Sequence, residues 1–120
     1  MKVHIEPFTS DAVHLDMLFS MLAPGLALID KDRSPETLQR FLLRLDIQLI
    51  PADPNEAAFW GCNVVALGND RILSSIHAIA TNQRLRANGL DVLDPDLSVF
   101  AADGGSARCL TMPLARVSQP

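Results

Sequence analysis

Clusters of basic residues are missing from this chain. Ten lysines and arginines stand against fourteen aspartates and glutamates in 120 residues, a formal net charge of -4, and no run of Lys or Arg offers the footprint that neutralises phosphates. Nucleic acid is therefore not an expected partner. Long apolar runs are missing as well. The start, Met1-Lys2-Val3-His4-Ile5-Glu6-Pro7, lacks the apolar stretch of a signal peptide, and every later run is interrupted short of the roughly 20 residues a membrane span needs. The expectation is a cytoplasmic protein without a membrane partner. Cysteine is scarce: Cys62 and Cys109 sit in neither a CxxC nor a metal-ligand spacing, and a reducing compartment would keep both as thiols. No disulfide framework, metal or cofactor is expected.

Apolar residues are plentiful at 48%, enough for a core in a single domain spanning residues 1–120. A helix is expected from Ser34, a hydroxyl cap followed by Pro35 with its fixed dihedral and Glu36 at the positive dipole end. Leu38, Phe41, Leu42 and Leu45 form its apolar stripe, and Ile47-Gln48-Leu49-Ile50 reads as a returning strand. Two apolar stretches precede that helix, Leu15 to Leu22 and Leu26 to Ile29, with Ala23-Pro24-Gly25 as the turn. The pattern then recurs. Asn63 to Leu67 and Arg71 to Ser74 flank a Gly68-Asn69-Asp70 turn. Thr81 to Asn88 is helix-compatible, Gly89 terminates it, and Leu90 to Leu93 is the returning strand.

The unit is strand, strand, helix, strand, repeated at roughly 45 residues, the length scale of propeller blades and solenoid repeats. Val3 to Phe8 reads as the last strand of a preceding unit, and Cys109 to Leu114 as the opening of a further one, so both ends look cut from a ring. The loop Pro51 to Gly61 is expected to be ordered by burial of Phe59 and Trp60, and the tail Val117 to Pro120 to fray.

Two stretches carry candidate chemistry. His14-Leu15-Asp16 opens an apolar strand, which would send the imidazole and the carboxylate to one face. An imidazole can shuttle a proton, and a carboxylate can pair with a cation through two oxygens; a solvated strand end explains the same residues. Gly104-Gly105-Ser106-Ala107-Arg108-Cys109 puts a glycine pair, which permits close backbone approach to a ligand, just before a thiol. A nearby positive charge or base, from Arg108, His14 or a cationic substrate, would favour the thiolate; a buried inert cysteine is the alternative. His4 and His77 read as structural or solvated, Asn63 and Asn82 as turn or cap residues, and Cys62 as packing.

Together and in this order, these stretches resemble the guanidino-group-modifying superfamily of arginine deiminases, amidinotransferases and dimethylarginine dimethylaminohydrolases. The matching text is His14-Leu15-Asp16 with Leu18-Phe19, Pro24-Gly25-Leu26-Ala27-Leu28, Asn63-Val64-Val65-Ala66-Leu67, Thr81-Asn82 with Leu85-Arg86-Ala87-Asn88-Gly89, and Gly104 through Leu114. The resemblance implies an α/β fold: the C-terminal blades of a five-bladed, pentein-like α/β propeller whose central channel binds substrate. It implies Cys109 as the nucleophile toward a guanidinium carbon and His14 as its acid/base partner. Asp16 would grip the guanidinium nitrogens, with Gly104, Gly105 and Ser106 also lining the substrate site. The resemblance places outside this sequence the N-terminal portion that supplies a second carboxylate and the acid orienting the histidine, so the chain reads as a domain fragment, one half of a split protein or an inactive remnant, its partner a second copy or a complementary N-terminal chain. The segment Ala101 to Gly104 lacks the Arg with which deiminases typically bind an α-carboxylate, which leaves the substrate open. Three readings follow: a Cys-dependent hydrolase acting on an arginine-like compound, an amidinotransferase, or a non-catalytic partial propeller acting as an oligomerising or partner-binding module.

Overall fold

The structure is a computed structural model and describes residues 3–8, 11–12, 14–57, 61–115 and 117. Two units follow one another. In the first, β1 (Phe19–Ala23) and β2 (Leu26–Ile29) form an antiparallel hairpin, α1 (Glu36–Arg44) crosses over, and β3 (Gln48–Pro51) returns parallel to β2. In the second, β4 (Val65–Gly68) and β5 (Arg71–Leu73) make the hairpin, α3 (Ile79–Ala87) the crossover, and β6 (Asp91–Leu93) the parallel return. The sheet orders are β1-β2-β3 and β4-β5-β6. A parallel pair needs a long connection, which is why each helix lies between the second and third strands of its unit. The second hairpin is closed by Asn69 and Asp70 at φ 52° and 58°, the left-handed pair that a tight two-residue turn demands and that Asn and Asp tolerate best.

The helix starts are made differently from the expectation at Ser34. Its hydroxyl caps nothing; it is buried and donates to the Leu18 carbonyl at 3.3 Å, tying the α1 entry to the approach of β1. Pro35 takes the cap position. The start of α3 is capped from outside: the Glu56 carboxylate, at the end of the short α2 (Pro54–Glu56), accepts from the Ala80 and Thr81 amides at 2.8 and 2.9 Å. A carboxylate there satisfies free amides and complements the helix dipole. Leu38 and Leu42 are buried as expected, but Leu45 lies past the last turn of α1 and is 55% exposed.

One apolar cluster runs through both units, with Leu22, Leu28 and Ile50 meeting Cys62, Val64, Ile72, Leu85, Leu90 and Val92. A second lies under α1, where Ile29, Leu38 and Leu42 are joined by Phe19, Phe41 and Leu49. Fully burying each such leucine, isoleucine or valine is worth about 1.5–3 kcal/mol. Residues 51–57 of this loop are held by polar contacts: Asp53 caps α2, its amide donates to Thr81 Oγ1 at 3.0 Å, and Arg84 donates to the Pro51 and Ala52 carbonyls. Phe59 and Trp60 lie outside the described residues, as do 118–120 of the tail.

The two outer strands do not form. Val3 to Phe8 is irregular, with His4 stacked on Phe41 at 3.7 Å and Glu6 hydrogen-bonded to Thr37, so it lies along α1 rather than in a sheet. Cys109 to Leu114 is a turn followed by irregular backbone. A strand exists by pairing with a neighbour, and for neither segment do the described residues supply one.

Asp30, 3% exposed at the end of β2, accepts from the Asp32 and Arg33 amides at 3.1 Å and from Arg33 Nε at 2.6 Å. Arg33 donates onward to the Ala57 carbonyl at 3.1 Å and to Asp11 at 2.9 Å. Burial penalises the Arg33 charge, yet Asp30 and Asp11 outweigh that and hold its pKa above the ordinary arginine value. Arg33→Ala leaves the buried Asp30 with only its two backbone amide donors, so it is expected to lower stability by about 1.5–3 kcal/mol, the worth of a lost hydrogen bond to a charged group. The check is a fall in the urea midpoint at unchanged m-value; a midpoint within error of the parent would contradict it.

Candidate active site

Each unit begins with a short segment ahead of its first strand, and β1 lies beside β4, so these segments come together. Ser20 on β1 donates to the Cys62 carbonyl at 2.6 Å and fastens the first unit to the start of the second. His14-Leu15-Asp16 is not the start of a strand. His14 is extended, and Leu15–Met17 forms one 3-10 turn, closed by the Met17 amide on the His14 carbonyl at 3.2 Å and the Leu18 amide on the Leu15 carbonyl at 2.9 Å. Imidazole and carboxylate therefore do not alternate along a pleat. Asp16 takes its place from the turn.

The turn at residues 107–110 carries Cys109, and Asn63 holds it. Asn63 is 3% exposed, and its Oδ1 accepts from the amides of Ser106 at 2.9 Å and Cys109 at 3.1 Å. Its Nδ2 donates to Cys109 Sγ at 3.2 Å, and its carbonyl accepts from the Arg108 amide at 3.4 Å. Ser106 and Ala107 are buried at 0% and 1% exposure, while Cys109 is exposed. Gly105, at φ 90°, backs directly onto the cysteine: a Cβ there would stand 2.8 Å from Cys109 Cβ and 2.9 Å from Sγ. The close approach this glycine permits is thus to the thiol itself.

Arg108 Nε lies 3.9 Å from Asp16 Oδ2, so the first unit's 3-10 turn faces the Cys109 turn. Between them is a cleft of about 280 Å³ lined by Asp16, Phe19, Ser20, Met21, Val64, Ala66 and Arg108. Asp16 Oδ1 is buried and has no hydrogen-bond partner among the described residues. A buried carboxylate oxygen left with open lone pairs suits the N–H donors of a planar cation. The His14 imidazole is exposed and makes no hydrogen bond to Cys109 among the described residues. Nor do the described residues bring three or more His, Cys, Asp or Glu side chains together in a way that could hold a metal ion.

Comparison with known proteins decides what kind of domain surrounds these groups. A model of arginine deiminases matches residues 30–116. The chain belongs to the arginine deiminase family. It is 34% identical over 105 residues to the uncharacterized protein YkgA of Bacillus subtilis (strain 168), a match covering 87% of this chain and 36% of that protein. The chain thus spans about a third of the length of the curated relative it matches. Among solved structures, ArgZ, an arginine dihydrolase from the ornithine-ammonia cycle in cyanobacteria, superposes with a TM-score of 0.69 at 27% identity, over 82% of this chain and 15% of ArgZ. The inosamine-phosphate amidinotransferase of Streptomyces griseus superposes with a TM-score of 0.74 over 88% of this chain and 33% of that one; at 21% identity this is a likeness of fold. The guanidino-group-modifying superfamily read from the sequence is therefore the right one, and the two units are blades of a partial α/β propeller.

Within this arginine deiminase domain, the sequence reading missed Asn63 as part of the Cys109 neighbourhood. Its signal was an Asn directly ahead of a core strand, which a turn or cap explains equally well until the 106–109 segment is seen against it. Of the other candidates, Asn82 is buried and donates to the Ser75 carbonyl at 2.8 Å, and His77 pairs with Asp96 at 3.2 Å; both stabilise the second unit. Cys62 packs in the core, fully buried, with burial foremost pushing its thiol pKa up to about 12. The two thiols should therefore behave differently. In the folded protein a thiol reagent such as Ellman's is expected to titrate one thiol, lost in Cys109→Ser, and denaturant to release the second. Two rapidly reacting thiols in the native state would contradict this.

Proposed function

We propose that this chain works on the guanidino group of arginine or a related compound as a Cys-dependent hydrolase of the deiminase or dimethylaminohydrolase type. It would act as the C-terminal blades of a larger cytoplasmic ring. The observation that carries the reading is the exposed Cys109 thiol on a clamped turn whose neighbour, Arg108, faces a carboxylate with an unpaired oxygen. Asp16 is the guanidinium anchor; Gly105 backs onto the nucleophile, and Gly104 and Ser106, which do not line the cleft described above, flank that glycine in the chain and would meet substrate only in the larger ring.

The chemistry follows from a deactivated, electron-rich carbon. Cys109 as thiolate adds to the guanidinium carbon, His14 gives its proton to the departing amine, and the C–N bond breaks to leave an S-linked amidino intermediate. Water then adds as His14 takes its proton, and the C–S bond breaks to return the thiolate and release the ureido product. An amine in place of water gives amidino transfer. Holding thiolate and carbon in line supplies proximity, and the proton transfers contribute roughly 10²- to 10⁴-fold. A bound cation beside the sulfur also favours the thiolate, so substrate binding and nucleophile activation support each other.

Incubation with arginine, methylarginines, agmatine or a haloacetamidine is expected to add mass on Cys109, read by intact-mass spectrometry with peptide mapping. His14→Ala should slow any turnover by roughly 10²- to 10⁴-fold. An adduct undiminished in Cys109→Ser would reject the assignment.

Exposed apolar residues at both ends favour a second role in assembly. Val3 and Ile5 are 70% and 85% exposed, Met112 and Leu114 77% and 88%. Such side chains suit a second copy or a complementary chain carrying the remaining carboxylates. Light scattering is expected to give a mass above that of one chain at micromolar concentration. A monomer mass throughout, with no guanidino adduct, would count against both roles.

A further inference from the structure

The hydrogen-bonding pattern around Asn63 fixes which way its amide points. Two backbone N–H groups, from Ser106 and Cys109, aim at one end of the side chain at 2.9 and 3.1 Å. Only the oxygen can accept both, so the nitrogen must face the Cys109 sulfur at 3.2 Å. The orientation rests on the partners and not on the resemblance of oxygen to nitrogen. The amide therefore meets the same residue twice, accepting from its backbone and donating to its side chain.

We infer that Asn63 is a positioning residue for Cys109, setting the turn that presents the sulfur and donating an N–H that favours the sulfur as thiolate. This rests on the reading of Cys109 as nucleophile but names a residue that reading does not use. An N–H donor aimed at sulfur is matched better by the charged acceptor than by the neutral thiol, so it favours ionisation. No common substitute does all of this. Aspartate keeps the acceptor and loses the donor, alanine loses both, and glutamine is one methylene too long for a side chain only 3% exposed. Gly105 supports the same geometry from behind, since a Cβ 2.9 Å from Sγ would push the sulfur off its donor.

The test is the pH dependence of Cys109 alkylation by iodoacetamide, a neutral reagent that needs no guanidino turnover. Cys62, fully buried, stays silent in the folded protein. The other charged groups around the turn, Arg108 within it, Asp16 facing it and Asp103 on the incoming segment, are unchanged in every variant. In Asn63→Asp the carboxylate oxygen replaces the donor. Alkylation at neutral pH is expected to slow by about tenfold to a hundredfold, the effect of losing a hydrogen bond to a charged group, and to recover as pH rises. Asn63→Ala should shift the profile in the same direction by less. A profile matching the parent's in a folded Asn63→Asp protein would overturn the inference. Should that variant not fold, the parent answers: the Asn63 side-chain amide signals in a ¹⁵N NMR spectrum are expected to move when Cys109 is alkylated, and unmoved signals would equally overturn it. Failure of haloacetamidine labelling with the iodoacetamide profile as expected would sink the guanidino reading and leave the role of Asn63 standing.

Discussion

The arrangement depends on one buried side chain crossing from the start of the second unit to a turn 46 residues later in the chain. Without the Asn63 amide, the segment 104–110 would have little to hold it. It belongs to no sheet, it begins with two left-handed glycines, and the residues after it are exposed. With the amide in place, the Ser106 and Cys109 amides share its Oδ1 as acceptor, beside the Arg108 amide on the Asn63 backbone carbonyl. A buried amide that failed to do so would cost about 1–3 kcal/mol for each polar group left unpaired, so the interaction is selective for one loop conformation as well as stabilising.

The repeat explains why polar side chains gather there. The segments ahead of β1 and β4 occupy the same place in their units, and lateral packing of β1 beside β4 puts those places next to each other. Asp16 comes from the first and Asn63 from the second, and the turn carrying Cys109 packs against both. A modest gain from stacking one apolar unit on another thus also brings together polar residues distant in sequence, and no one residue has to be specified over the whole distance.

Local pattern made much of this legible. Both hairpins, both crossover helices and both returning strands follow from apolar spacing and from turns rich in Gly, Pro, Asn and Asp, because those signals lie within a few residues of the backbone they shape. Most of the misreadings involve partners far away in sequence. Ser34 reads as a cap only if the Leu18 carbonyl is ignored. Asp16 reads as a strand residue because alternation cannot reveal a single 3-10 turn. The end segments have strand-like composition, but pairing belongs to two strands at once. Asn63 looked ordinary for the same reason: its meaning lies in Ser106 and Cys109.

The two cysteines show how position sets the chemistry of one functional group. Cys62 stands immediately before Asn63, inside the cluster that joins the units, where burial disfavours the thiolate and the side chain behaves as a small apolar filler. Cys109 is bonded to the neighbouring Asn63 from outside the core, exposed and supplied with a donor. A single residue step along the chain thus separates the inert thiol from the group that presents the accessible one. The consequence is that rigidity at the sulfur is borrowed from the core without burying the sulfur in it. The proposed role as nucleophile would need both, since a thiolate must be solvated or hydrogen-bonded to exist and held still to attack.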